Sequence, residues 1–116
     1  MARNEQTGKR SLIYSEWHRT LPDMCTATDI DFVEFRKGKI VAFIETKKEN
    51  CSMPYFQRNI YKTLAKACNV PAYLVNYSES LSYFMVEELW PNPTKPVYMP
   101  CAEYTEFLIN IGDTCD

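Results

Sequence analysis

Two strand-like runs of this chain carry carboxylates where an ordinary strand would alternate apolar and neutral residues. Asp29-Ile30-Asp31-Phe32-Val33-Glu34 is followed, across Arg36-Lys37-Gly38, by Phe43-Ile44-Glu45-Thr46-Lys47. Residues two apart on a strand share a face, so Asp29 aligns with Asp31 and Glu45 aligns with Lys47. Clustered carboxylates repel one another in a partly buried site, and a divalent cation removes that cost. Hard oxygen ligands suit Mg²⁺ or Mn²⁺, and such an ion beside a phosphate activates water and neutralises developing charge. Lys47 would then orient or polarise the attacking water. The plainer alternative is that Glu34, Glu45, Lys47 and Lys48 decorate the solvent face of a strand.

The turn decides whether the two carboxylate pairs meet. A three-residue loop with Gly38 in the left-handed region pairs Phe35 with Lys39 and sets Asp29 opposite Glu45, which puts all four side chains on one face. A two-residue turn at Lys37-Gly38 slips the register by one and sends the carboxylates to opposite faces. The chemistry favours the three-residue loop.

The elements that must position these residues are legible from periodicity. Ile13, Trp17 and Leu21 repeat at intervals of four and predict a helix over 11–21, stopped by Pro22. β-branched and aromatic residues predict strands over 28–35 and 39–46, forming a hairpin. Ser52 and Pro54 suit a helix cap and first turn, and the stripe Phe56, Ile60, Leu64 and Ala67 carries that helix to about Asn69. Strands follow over 72–77 and 83–90, then Pro91, Pro93 and Pro96 interrupt, and a short helix closes the chain over 103–111. The order is that of a mixed α/β layered domain.

Composition bounds the rest. A chain of 116 residues holds one core. Residues 1–10 form a polar tail that cannot act as a secretory signal, and no apolar run approaches membrane-spanning length, which predicts an intracellular, cytoplasmic protein. The five cysteines are singly spaced, with no C-x-x-C pair, and read as free thiols. A net charge of −2 excludes a protein that coats nucleic acid by bulk positive charge, so any such contact is local.

In order and spacing, the helix with an acid, the strand with Asp31, the hairpin, the strand with Glu45-Thr46-Lys47 and the next helix together resemble the PD-(D/E)XK nuclease superfamily. The resemblance is closest to its RecB-like and Holliday-junction-resolvase-like branches and spans roughly residues 11–78. It implies a restriction-endonuclease-like core, a central mixed sheet flanked by helices in an αβββαβ-type order. It also implies that Asp31 and Glu45 bind Mg²⁺ or Mn²⁺, that the backbone carbonyl of Thr46 completes the metal site, and that Lys47 is catalytic. Glu16, on the first helix, matches an additional acid that family members often carry; its alternative is a solvated helix Glu. The proline that precedes the motif Asp in the family is absent here.

Gln57-Arg58-Asn59-Ile60-Tyr61 reproduces the Gln-x-x-x-Tyr element of the RecB-like branch, and an interval of four puts Gln57 and Tyr61 on one helical face. By that resemblance both line the active site and contact substrate. Arg58, Lys62 and Lys66 form a basic stripe on the same helix that could follow a phosphate backbone. His18 is read as structural, and Trp17 and Trp90 as core residues. The expected activity is hydrolysis of phosphodiester bonds in DNA, in recombination, repair or viral genome processing, with RNA as a further possible substrate. The alternative is a catalytically silent nucleic-acid-binding or protein-interaction module. A chain this small with weak long-range attraction for DNA is expected to work as a homo-oligomer, most simply a dimer, with the aromatic C-terminal part as its interface.

Overall fold

A computed structural model describes residues 12–112. The elements are α1 (Ile13–His18), β1 (Phe32–Arg36), β2 (Lys39–Lys48), α2 (Tyr55–Cys68), β3 (Ala72–Tyr77), β4 (Tyr83–Trp90), β5 (Val97–Pro100) and α3 (Cys101–Asn110). The polar tail lies outside the described residues.

The strands form one five-stranded sheet in sequence order, from β1 at one edge to β5 at the other. β2 and β3 are parallel and the remaining pairs antiparallel. Parallel neighbours need a crossover, and α2 provides it. Asn69 ends α2 in the left-handed conformation, with its N–H on Lys66 O and that of Val70 on Ala65 O; Asn tolerates this geometry better than most side chains.

Helices cover both faces of the sheet. On one face α2 packs Tyr61 and Ala65 over Phe43, Ala72, Leu74 and Leu89; on the other, α3 packs Tyr104 over Ile44, Val75 and Val86. That is why β2, the strand beneath both layers, is buried without interruption from Val41 to Glu45. The expected mixed sheet flanked by helices is therefore present in its coarse form.

Several sequence expectations are corrected. The hairpin turns through two residues, not three: Arg36 pairs with Lys39, and Lys37 and Gly38 both take positive φ, 54° and 78°. The slip this implies is cancelled one step later by a bulge, because Glu34 pairs with Ala42 while Phe35 pairs with Ile40, leaving Val41 extra. Beyond the bulge Phe32 pairs with Ile44, so Asp31, not Asp29, comes level with Glu45. The buried stripe of α2 is Gln57, Tyr61 and Ala65, one position later than the expected Phe56 and Ile60, and Phe56 is exposed. Its N-cap is Pro54, and Ser52 makes no cap bond.

β1 starts at Phe32 and the closing helix at Cys101, with Pro100 as its N-cap, and β5 precedes it unforeseen. Trp17 is not a core residue but 53 % exposed, whereas Trp90 does pack against the α2 core. Cys25, Cys51, Cys68 and Cys101 are free.

Candidate active site

The end of β2 runs past the start of β1. There the Asp31 carboxylate takes the place of a ladder partner. Its Oδ2 accepts from the Thr46 backbone N–H and from Thr46 Oγ1, each at 3.0 Å. An extended residue directs its N–H and C=O to the same edge, so the Thr46 carbonyl also points to the Asp31 side.

Glu45 is only 3 % exposed, yet it has two partners. The Tyr61 hydroxyl, arriving from α2, donates to Glu45 Oε1, and Lys47 Nζ lies 3.5 Å from Glu45 Oε2. The same Tyr61 oxygen accepts from the Asp31 N–H at 3.1 Å. One hydroxyl thus ties the helix to both carboxylate-bearing segments. Burial, and then the bond to Glu45, raise the Tyr61 pKa well above the usual tyrosine range, opposed by the bond from Asp31. The hydroxyl therefore remains a donor at neutral pH.

Gln57, one turn before Tyr61 on the same face, is buried and its Oε1 has no hydrogen-bond partner among the described residues. A buried acceptor left unpaired costs about 1–3 kcal/mol, which a bound water or ligand donor would recover.

Not every expected residue joins the site. Glu16 is exposed on α1, which packs against no other helix or strand among the described residues. Among the described residues no three of His, Cys, Asp and Glu stand together as a ready metal cage. Arg58 turns to β4, its guanidinium 2.8 Å from Glu87 Oε2, and is neutralised there. Lys62 is half-buried and Lys66 exposed, and they keep their positions along α2. Asp29 is exposed.

One positioning residue was missed. The Asn76 amide donates to Lys48 O at 3.0 Å and to Cys51 O at 2.9 Å, fastening the loop that carries β2 into α2. The signal was a single amide inside the apolar run Ala72 to Tyr77, level with Lys47 in the parallel register.

A cleft of about 410 Å³ opens elsewhere, lined by Phe32, Ile44, Val75, Phe84 and Tyr104 on the α3 face of the sheet. It is mostly apolar, with Glu34 and Thr46 also in its lining, lies across the sheet from Glu45 and contains none of Asp31, Lys47 or Tyr61. The cleft meets the carboxylate site only at Thr46.

No family model matches this chain, and no curated protein or solved structure matches it either. No helix among the described residues is long and apolar enough to cross a membrane.

Proposed function

We propose that this chain is a metal-dependent nuclease of the PD-(D/E)XK type, hydrolysing phosphodiester bonds in DNA. The observation that carries the reading is the meeting of Asp31 and Glu45 at one end of β2, joined through Tyr61 and flanked by Lys47. The donor set suits a hard divalent cation, which is held by one or two carboxylates and retains several waters, so a closed protein cage is not required. Asp31, Glu45 and the Thr46 carbonyl are the residues that would hold Mg²⁺ or Mn²⁺. When bound, the ion supplies charge stabilisation at the phosphate.

The chain's own residues supply the rest. Tyr61 fixes the rotamer of Glu45, and Thr46 fixes that of Asp31, so both carboxylates are set in place before substrate arrives. Lys47 brings an ammonium donor to the same end of the strand, where it holds and polarises water. Gln57 offers a buried acceptor, and Lys62 and Lys66 offer phosphate contacts along α2. Glu16 reaches this centre only if α1 docks against the sheet. Recombination, repair and viral genome processing are the settings that use such an activity, within a cell. An RNA backbone presents the same bond and belongs in the assay.

A specific observation favours a second reading, a catalytically silent binding module. Glu45 already has Tyr61 and Lys47 as partners and needs no cation to be satisfied. Calorimetric titration with Mn²⁺ separates the two. The nuclease reading expects saturable binding, reduced about tenfold or more by Asp31→Asn and little by Asp29→Asn. Absence of binding supports the silent module, and a larger loss in Asp29→Asn contradicts the assignment of Asp31.

A further inference from the structure

The cleft on the α3 face has no part in the chemistry described so far. Its volume of about 410 Å³ falls within the roughly 300–1,000 Å³ of small-ligand sites. Ile44 and Val75 line it from the sheet, and Phe32, Phe84 and Tyr104 bring aromatic rings to it.

Two polar groups in this lining are not used up. Tyr104 is buried, and its hydroxyl has no hydrogen-bond partner among the described residues. Burial raises its pKa to about 12, with the Glu34 charge adding to it, so the hydroxyl keeps its proton and stands near that carboxylate. Arg36 holds Glu34 through Oε1 alone, at 3.1 Å, and Oε2 has no partner among the described residues. A donor and an acceptor thus stand together beside aromatic rings.

The rim carries strain. Leu81 lines the cleft at a φ of 60°, which a bulky side chain adopts at a cost and Gly adopts freely. Its N–H is bonded to Ser78 O at 2.8 Å, and its side chain stays 54 % exposed. Strain of this kind collects at ligand clamps. Phe32 is also only part-covered, at 40 % exposed.

The cleft also touches the carboxylate site. Thr46 lines it, and the Thr46 hydroxyl donates to Asp31 Oδ2. β1 begins at Phe32, so at Thr46 no strand flanks β2 on that side, which leaves a way round the sheet edge from one face to the other.

We propose that this cleft receives one unpaired nucleobase of the strand whose phosphate lies at Asp31 and Glu45, so that the preferred DNA is single-stranded or branched. The proposal rests on the nuclease reading. A base offers a flat face to aromatic rings, an N–H to Glu34 Oε2 and an acceptor to the Tyr104 hydroxyl. An aliphatic ligand would leave both polar groups unanswered. A base inside a duplex cannot enter until it has unpaired and unstacked, which is the source of the preference.

Fluorescence anisotropy in chelator tests it, with a short labelled oligo-deoxycytidine, its abasic counterpart and a blunt duplex as probes. Wild type is expected to bind the oligo-deoxycytidine about tenfold or more tightly than the other two. Leu81→Gly relieves the strained turn and is expected to melt at a higher temperature than wild type, yet to lose about fivefold or more of that preference. Phe32→Ala, folded by circular dichroism, is expected to lose as much. Equal binding of the base-bearing and abasic probes overturns the proposal, as does absence of binding or a preference undiminished in both variants. Because the readout contains no metal, the two readings fail separately. Cutting by a protein that ignores the base overturns the cleft alone, and base-dependent binding by a protein that cuts nothing in Mg²⁺ or Mn²⁺ overturns the nuclease reading alone.

Discussion

At the scale of residues, the site is a buried carboxylate held by a hydroxyl and an ammonium, not a cluster of solvated charge. This changes what truncation does. Glu45→Ala strands the buried Tyr61 hydroxyl and removes the partner of the half-buried Lys47, and is expected to lower stability by about 1–3 kcal/mol as well as to abolish cleavage. Glu45→Gln keeps an acceptor for Tyr61 and is expected to fold with a smaller loss while remaining inactive. Urea denaturation of both variants checks the ordering, and equal stabilities would show that Tyr61 gains nothing from the carboxylate. The tyrosines also set an alkaline limit. Burial pushes Tyr104 up to about 12, with the Glu34 charge adding to it, and burial raises Tyr61 as well. Both hold their protons more tightly folded than unfolded. The stability they contribute is complete below the ordinary value of 10 and is lost as pH rises through the folded values. Urea midpoints measured from neutral pH upward should therefore fall above pH 10, and less steeply in Tyr104→Phe; parallel curves would remove Tyr104 from the explanation.

At the scale of elements, α2 is what brings substrate-facing groups to the site, and its basic side is smaller than the sequence suggested. Arg58 is committed to Glu87, leaving Lys62 and Lys66. The Lys62→Ala/Lys66→Ala pair should flatten the salt dependence of DNA binding by about two counterions, whereas Arg58→Ala should leave the slope and cost about 1 kcal/mol of stability. An unchanged slope in the double variant would make these lysines a solvated face. The α2 helix, the parallel strand after it and the hairpin were legible because their periodicities and Gly38 are local signals. The bulge was not, because it depends on a distant surface: Val41 and Ala42 pack together against Ile111 beyond α3. Without the bulge, the observed two-residue turn would have sent Asp31 and Glu45 to opposite faces; with it, the expected meeting occurs by a different route. Trp17 misled because a helical spacing of apolar residues states that a face seeks cover but does not state that the chain provides it. β5 was hidden by its flanking prolines, which read as interruption though they also suit an edge strand.

At the scale of the whole molecule, one sheet separates two surfaces with different characters. The α2 face carries the carboxylates at the end of β2, and the α3 face carries the apolar cleft. Of the aromatic C-terminal residues expected to form an interface, Phe84 and Phe107 stack with Tyr104, at 4.2 and 5.9 Å between ring centroids, while Tyr98 stays 56 % exposed. The central claim is that the Asp31, Glu45 and Lys47 end of β2 cleaves DNA with a divalent ion, and incubation with linear, circular, single-stranded and branched DNA tests it most directly. Wild type with Mg²⁺ or Mn²⁺ should cut at least one of these substrates and should be silent with chelator. Lys47→Met, folded by circular dichroism, should lose about 10²-fold or more in rate. Uncut DNA in every metal, or equal cutting by the folded Lys47→Met protein, would contradict the account.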